Sequence, residues 1–142
     1  MDIQSQSNER LEYLGDSILS SVIAEYLFKK YPDSNDGFLT KMRAKVVKRK
    51  TLNAVAKSMA LDTHLSNFNN IAVSKSMLGN ALEALIGAIY LENGYYQTKK
   101  YIIEKILMVY IDVDKLEAYD DNFKSQLLEW CQKYNNTISY TL

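Results

Sequence analysis

The sequence predicts an all-α domain. Apolar residues recur at helical spacing through most of the chain, and a single Pro closes the first periodic run. Residues 137–142 carry strand-like β-branched and aromatic content. With 142 residues, 47% of them hydrophobic, the chain can bury one real core and is too short for two full domains.

Leu11, Leu14, Ile18, Val22 and Leu27 share a face of a first helix over residues 8–31. Ser7 or Asn8 suits its N-terminus, and Lys29 and Lys30 suit its negative end. Residues 32–37, PDSNDG, read as a loop. A second helix is expected over residues 39–47 and a third over 51–59, the latter with Leu52, Val55, Ala56 and Met59 inward. Residues 62–73 are polar and weakly patterned, a loop with at most a turn of helix. A long apolar helix then starts from a cap at Ser74 or Ser76 and stops at Asn93 and Gly94. Residues 95–111 form a further helix with Tyr101, Ile102, Ile106, Val109 and Tyr110 near one side. The stretch 113–122 is acidic and poor in core candidates, so it reads as a linker, followed by a helix to about Tyr134 and a turn at Asn135 and Asn136. A closing β segment with no partner strand suggests a chain that stops partway into a second module.

Composition excludes several classes of protein. A single Cys, Cys131, and a single His, His64, rule out a disulfide framework and a Cys/His zinc cluster built from this chain alone. No apolar run approaches the roughly 18 residues of a membrane span, and the N-terminus lacks the apolar stretch of a signal peptide, so a soluble, intracellular protein is expected. Net charge is zero, with 17 basic and 17 acidic residues. The local distribution says more, because KMRAKVVKRK puts Lys41, Arg43, Lys45, Lys48, Arg49 and Lys50 within ten positions. Such a patch neutralises phosphates, or it is simply a solvated helix face.

The acidic residues carry the sharper signal. In NERLEYLGDSIL, Glu12 and Asp16 stand one helical turn apart among leucines; in GNALEALIGAIYL, Asn80 and Glu83 do the same, with Glu83 flanked by core-type side chains. A charge left on a buried face is costly unless paired. If the two helices cross, four oxygen-bearing side chains converge, as Mg²⁺ or Mn²⁺ requires. Gly15 and Gly87 would let the backbones approach. Each pair alone is equally an ordinary surface acid or a salt-bridged one.

NERLEYLGDSIL resembles the ribonuclease III signature, usually written ERLEFLGDSxL. GNALEALIGAIYLENG resembles the second acidic motif of that family, and the likeness runs on through FLTKMRAKVVKRKTL. The resemblance implies a helical endonuclease domain over residues 1–112, with upstream helices missing, and a linker over 113–121. Residues 122–142 resemble the first helix and entering strand of a double-stranded RNA-binding domain. It further implies that Glu12, Asp16 and Glu83 ligate or position Mg²⁺, with Mn²⁺ as a substitute, and that a symmetric homodimer forms through the aromatic at Tyr13, with Glu9 structural or interfacial. Asp36 stands where the family often has an acid near its catalytic valley. The fourth acidic position of the family is occupied here by Asn80, whose amide oxygen can ligate but brings no charge. The implied activity is divalent-metal-dependent hydrolysis of double-stranded RNA in the cytoplasm, in rRNA or mRNA processing, leaving 5′-phosphate and 3′-hydroxyl ends. The competing expectation is a catalytically silent RNA-binding scaffold that keeps the fold.

Overall fold

The structure is a computed structural model describing residues 3–61 and 75–135. Among the described residues every regular element is helical. The chain divides into two compact units, Met1–Ile111 and Asp112–Leu142.

In the first unit, α1 (Ile3–Lys30) packs along α4 (Lys75–Tyr101), with α2 (Asp36–Val47) against α1 and α3 (Arg49–Ser58) against α4. Leu19, Val22, Ile23 and Leu27 of α1 meet Leu78, Leu82 and Ile86 of α4 in a core completed by Met42 and Val46 of α2 and Leu52, Val55 and Ala56 of α3. Each of these Leu, Ile, Val and Met side chains removed from water stabilises by about 1.5–3 kcal/mol. The buried stripe of α1 lies deeper than the periodicity suggested. Leu11, Leu14 and Ile18 are only half-buried.

Local chemistry sets the helix ends. Asn35 caps α2, its Oδ1 accepting from the Phe38 N–H at 2.9 Å, so Asp36 and Gly37 belong to the first turn and not to the loop. One extended residue, Lys48 (φ −63°, ψ 154°), separates α2 from α3. The Thr51 hydroxyl donates back to the Lys45 carbonyl at 3.0 Å across that corner. Gly94 breaks α4 with φ 82° and ψ 176°, a conformation that suits glycine, at the position where the sequence placed the stop.

Beyond the break the helix continues to Tyr101 and widens into a π-helical turn, Ile102–Leu107. The Met108 N–H reaches the Ile103 carbonyl there, five residues back. The extra residue rotates everything that follows. Ile102, Ile106 and Leu107 are buried, whereas Val109 and Tyr110, expected on the same face, are exposed together with Met108 in the short α5 (Met108–Tyr110).

The second unit is built on α6 (Val113–Asn135), so the stretch read as a linker is helical. Its start is explained by Asp112, whose carboxylate accepts from the Lys115 N–H at 3.0 Å. Along α6, Leu127, Leu128 and Trp130 are exposed. The loop expected at 62–73 and the β segment at 137–142 lie outside the described residues.

Candidate active site

The two helices that carry the carboxylates are brought into contact by two glycines. A Cβ added to Gly15 would lie 2.6 Å from the Glu83 carbonyl carbon and 3.0 Å from the Gly87 nitrogen. A Cβ on Gly87 would lie 3.2 Å from the Leu11 carbonyl carbon. Helix axes ordinarily stay 8–10 Å apart because side chains intervene. Here α1 and α4 touch backbone to backbone, which explains two glycines inside helices despite a cost near 1 kcal/mol each. Glu12 and Asp16 flank Gly15, and Glu83 lies directly across from it.

Glu83 is 5% exposed, the only acidic residue in the described core. Burial, more than anything else, pushes its carboxyl above the usual range; Arg49 opposes this, and the neighbouring Asp16 and Glu12 charges add to it. Half-buried Glu12 is raised as well, first by desolvation and then by Glu9, again against the pull of Arg49. Asp16 is exposed and Asn80 half-buried. The helix crossing is thus dry at Glu83 and wet at Asp16.

One partner of Glu83 was not foreseen. Nη1 of Arg49, the first residue of α3, lies 3.0 Å from Glu83 Oε1, and the arginine side chain keeps 48% of its surface exposed. A third glycine makes the approach possible: a Cβ on Gly79 would lie 2.6 Å from that Nη1 and 2.8 Å from Asn53 Oδ1. Asn53 Oδ1 in turn accepts from the Gly79 N–H at 2.8 Å and fixes α3 against α4. The available signal was Gly79 itself, a glycine in an apolar helix one turn before the buried acid.

The rest of the basic segment is divided by the α2–α3 corner. Lys41, Lys48 and Lys50 are exposed, and Arg43 and Lys45 are half-buried. Arg49 is committed to Glu83. Tyr13, one residue from Glu12, is 78% exposed, and Glu9 is exposed one turn earlier.

The donor set fits a hard divalent cation in kind: three carboxylates and a carboxamide oxygen, with a desolvated acid at its centre. As the side chains stand, no group of three or more His, Cys, Asp or Glu among the described residues is gathered closely enough to hold an ion. The cation that Glu83 meets is Arg49.

Fold and site together define a helical domain in which two helices bearing acids cross at glycines beside a basic corner. Comparison with known proteins places that domain. A family model described as Ribonuclease-III-like matches residues 2–110. "Ribonuclease 3" of Azobacteroides pseudotrichonymphae is 44% identical over 135 residues, covering 95% of this chain and 52% of its own length. "Ribonuclease 3" of Bacteroides thetaiotaomicron is 42% identical over 137 residues, covering 96% of this chain and 44% of its own. A crystal structure of the ribonuclease III nuclease domain from Campylobacter jejuni superimposes with a TM-score of 0.64 at 37% identity, covering 74% of this chain and 75% of that one. The chain belongs to the ribonuclease-III-like family. It spans about half the length of these curated relatives.

Proposed function

We propose that this chain carries the catalytic part of an endoribonuclease that hydrolyses phosphodiesters of double-stranded RNA with Mg²⁺, for which Mn²⁺ substitutes, leaving 5′-phosphate and 3′-hydroxyl ends. The observation that carries the reading is the Gly15–Gly87 crossing, which sets Glu12 and Asp16 against a Glu83 that is 5% exposed. Burying an acid beside two others is unfavourable in itself, and such sites are kept where the charge is used.

Glu12, Asp16 and Glu83 would hold the cation, with the Asn80 amide oxygen as a neutral fourth ligand or as acceptor for a water. A bound divalent ion supplies a water of lowered pKa and screens charge on the attacking and leaving oxygens. The chain itself positions and desolvates these groups: the glycine crossing holds the two acidic helix faces at fixed separation, and the α4 core keeps water from the inner side of Glu83. Exposed Lys41, Lys48 and Lys50, with Arg43 and Lys45, are suited to phosphates of an A-form duplex, which is recognised by shape, phosphate and 2′-hydroxyl. The exposure of Tyr13 supports a homodimer whose second copy covers it. A related Campylobacter nuclease domain structure is described through its region involved in dimer formation. We assign residues 1–112 to the nuclease domain and 122–142 to the start of a double-stranded RNA-binding domain, with α6 entering it. The exposed Leu127, Leu128 and Trp130 suit a helix with further packing to make. A place in rRNA or mRNA processing in the cytoplasm follows from the same reading; among the described residues no helix is long and apolar enough to cross a membrane.

The specific observation favouring a silent scaffold is Asn80 in place of an acid. Incubating a perfect RNA duplex with this chain and with Asn80→Asp, in Mg²⁺, Mn²⁺ or chelator, separates the two. Metal-dependent cutting by the unmodified chain is expected. Cutting only by Asn80→Asp would make this chain the scaffold.

A further inference from the structure

The pairing of Glu83 is the feature that the proposed chemistry does not absorb. A metal ligand in a mostly dry setting already has a cation, contributed by the first residue of α3. The arrangement is built rather than incidental. Gly79 leaves the space in which the guanidinium crosses α4, Asn53 locks that stretch of α3 to the Gly79 N–H, and Lys48 turns the chain so that Arg49 starts the helix. The charge of Arg49 also reaches Glu12, on the other side of the crossing.

We propose that Arg49 is a resident counter-ion of the carboxylate site, which competes with a divalent cation for Glu83 and is displaced when the ion enters. This rests on the reading of Glu12, Asp16 and Glu83 as metal ligands. Glu83 Oε1 lies 3.0 Å from the guanidinium, and among the described residues no three acids are gathered closely enough to chelate, so recruiting Glu83 into a metal shell means drawing it from Arg49. The exchange is feasible because the arginine side chain is 48% exposed and can return to water, whereas the 7% exposed Glu83 side chain cannot. With Asn80 bringing no charge, three acids remain for two cationic occupants that alternate. Arg49 thus keeps the buried acid neutralised while the site is empty of metal and sets how much divalent ion is needed to fill it. It is a positioning residue, acting through Glu83.

The test measures Mn²⁺ affinity by electron paramagnetic resonance at low ionic strength, for the unmodified chain, Arg49→Gln, Arg49→Lys and Glu83→Gln. Removing a competing, half-exposed cation is expected to tighten Mn²⁺ binding about fivefold in Arg49→Gln, the scale of an exposed ion pair. Arg49→Lys, which keeps the charge, stays near the unmodified value. In the unmodified chain, the Arg49 Nε–H resonance should be distinct without metal and should shift to a solvent-exchanging position on saturation with Mg²⁺; this readout stands even if Arg49→Gln fails to fold. Unchanged or weakened Mn²⁺ binding by a folded Arg49→Gln, or an Arg49 resonance indifferent to Mg²⁺, overturns the proposal while leaving the metal site intact. Equal failure of the unmodified chain and Glu83→Gln to bind Mn²⁺ removes the metal reading and this proposal with it.

Discussion

Two acids of this domain are paired with cations at opposite ends of the same helix pair, and they behave in opposite ways. Glu25 of α1 accepts hydrogen bonds from Lys99, beyond the Gly94 break of α4, and from Lys29 of its own helix. Those bonds hold its carboxyl below the usual range. Glu83 has an arginine at 3.0 Å, yet its carboxyl is pushed up, because burial outweighs the partner. The difference is solvent. Glu25 is half-buried, its side chain 36% exposed, beside a cavity of about 310 Å³ lined by Tyr26, Lys29, Lys30, Lys99 and Ile103, where water still reaches the carboxylate and the lysines add to its hydration. At Glu83 the pairing does not repay the loss of water. The first is a partly exposed ion pair; the second is an acid kept buried at a cost, and that cost is why Glu83 is the acid we propose for the chemistry.

The comparison is broken most severely by closing the glycine crossing. Gly15→Ala drives a methyl group into the Glu83 carbonyl, and the helices must separate; a loss of about 3 kcal/mol or more is expected in denaturant unfolding. Gly37→Ala is the control, since its Cβ meets only Asn35 Oδ1 at 3.5 Å, and it should change stability by less than about 1 kcal/mol. Equal effects would mean that the crossing is not the constraint described above.

Next in size is Glu83→Gln, which should abolish metal-dependent cutting of duplex RNA by about a hundredfold or more. Glu25→Gln should leave the rate unchanged. Asn80→Asp sharpens the same contrast from the other side, raising Mn²⁺ affinity by about tenfold through the added ligand charge.

The pH dependence of stability without metal gives the smallest and most discriminating effect. For Glu83 and Glu12 the folded pKa lies above the ordinary 4.5, so their contribution is fully present below that value and is lost as pH rises through the folded pKa. For Glu25 the folded pKa lies below 4.5, so its contribution is present above that value and is lost as pH falls through the folded pKa. Urea unfolding in chelator should therefore lose part of its slope above pH 4.5 in Glu83→Gln and below pH 4.5 in Glu25→Gln. Identical pH profiles for the two variants would erase the distinction between the pairs.

Much of the fold is legible in the sequence. Acid spacing on two helices, two glycines placed to let them meet, and the stop at Gly94 all follow from local rules that tertiary structure did not override. The positions that were misread depend on something non-local or on a small register change. Val109 and Tyr110 point outward because a π-turn adds one residue, which no 3.6-residue pattern anticipates. The stretch after Asp112 is helical because one carboxylate caps it, despite poor core content. Arg49 looked like one of six equivalent basic residues, and only the packing of α3 over Gly79 sets it apart.

The central claim is that α1 and α4 present one divalent-ion site at their crossing. Paramagnetic broadening of amide resonances by substoichiometric Mn²⁺ tests it directly. Loss of signal should begin together around Glu12–Asp16 and Asn80–Glu83, and should be absent from both segments in Glu83→Gln. Broadening confined to one of the two helices, or centred on Glu25, would contradict it.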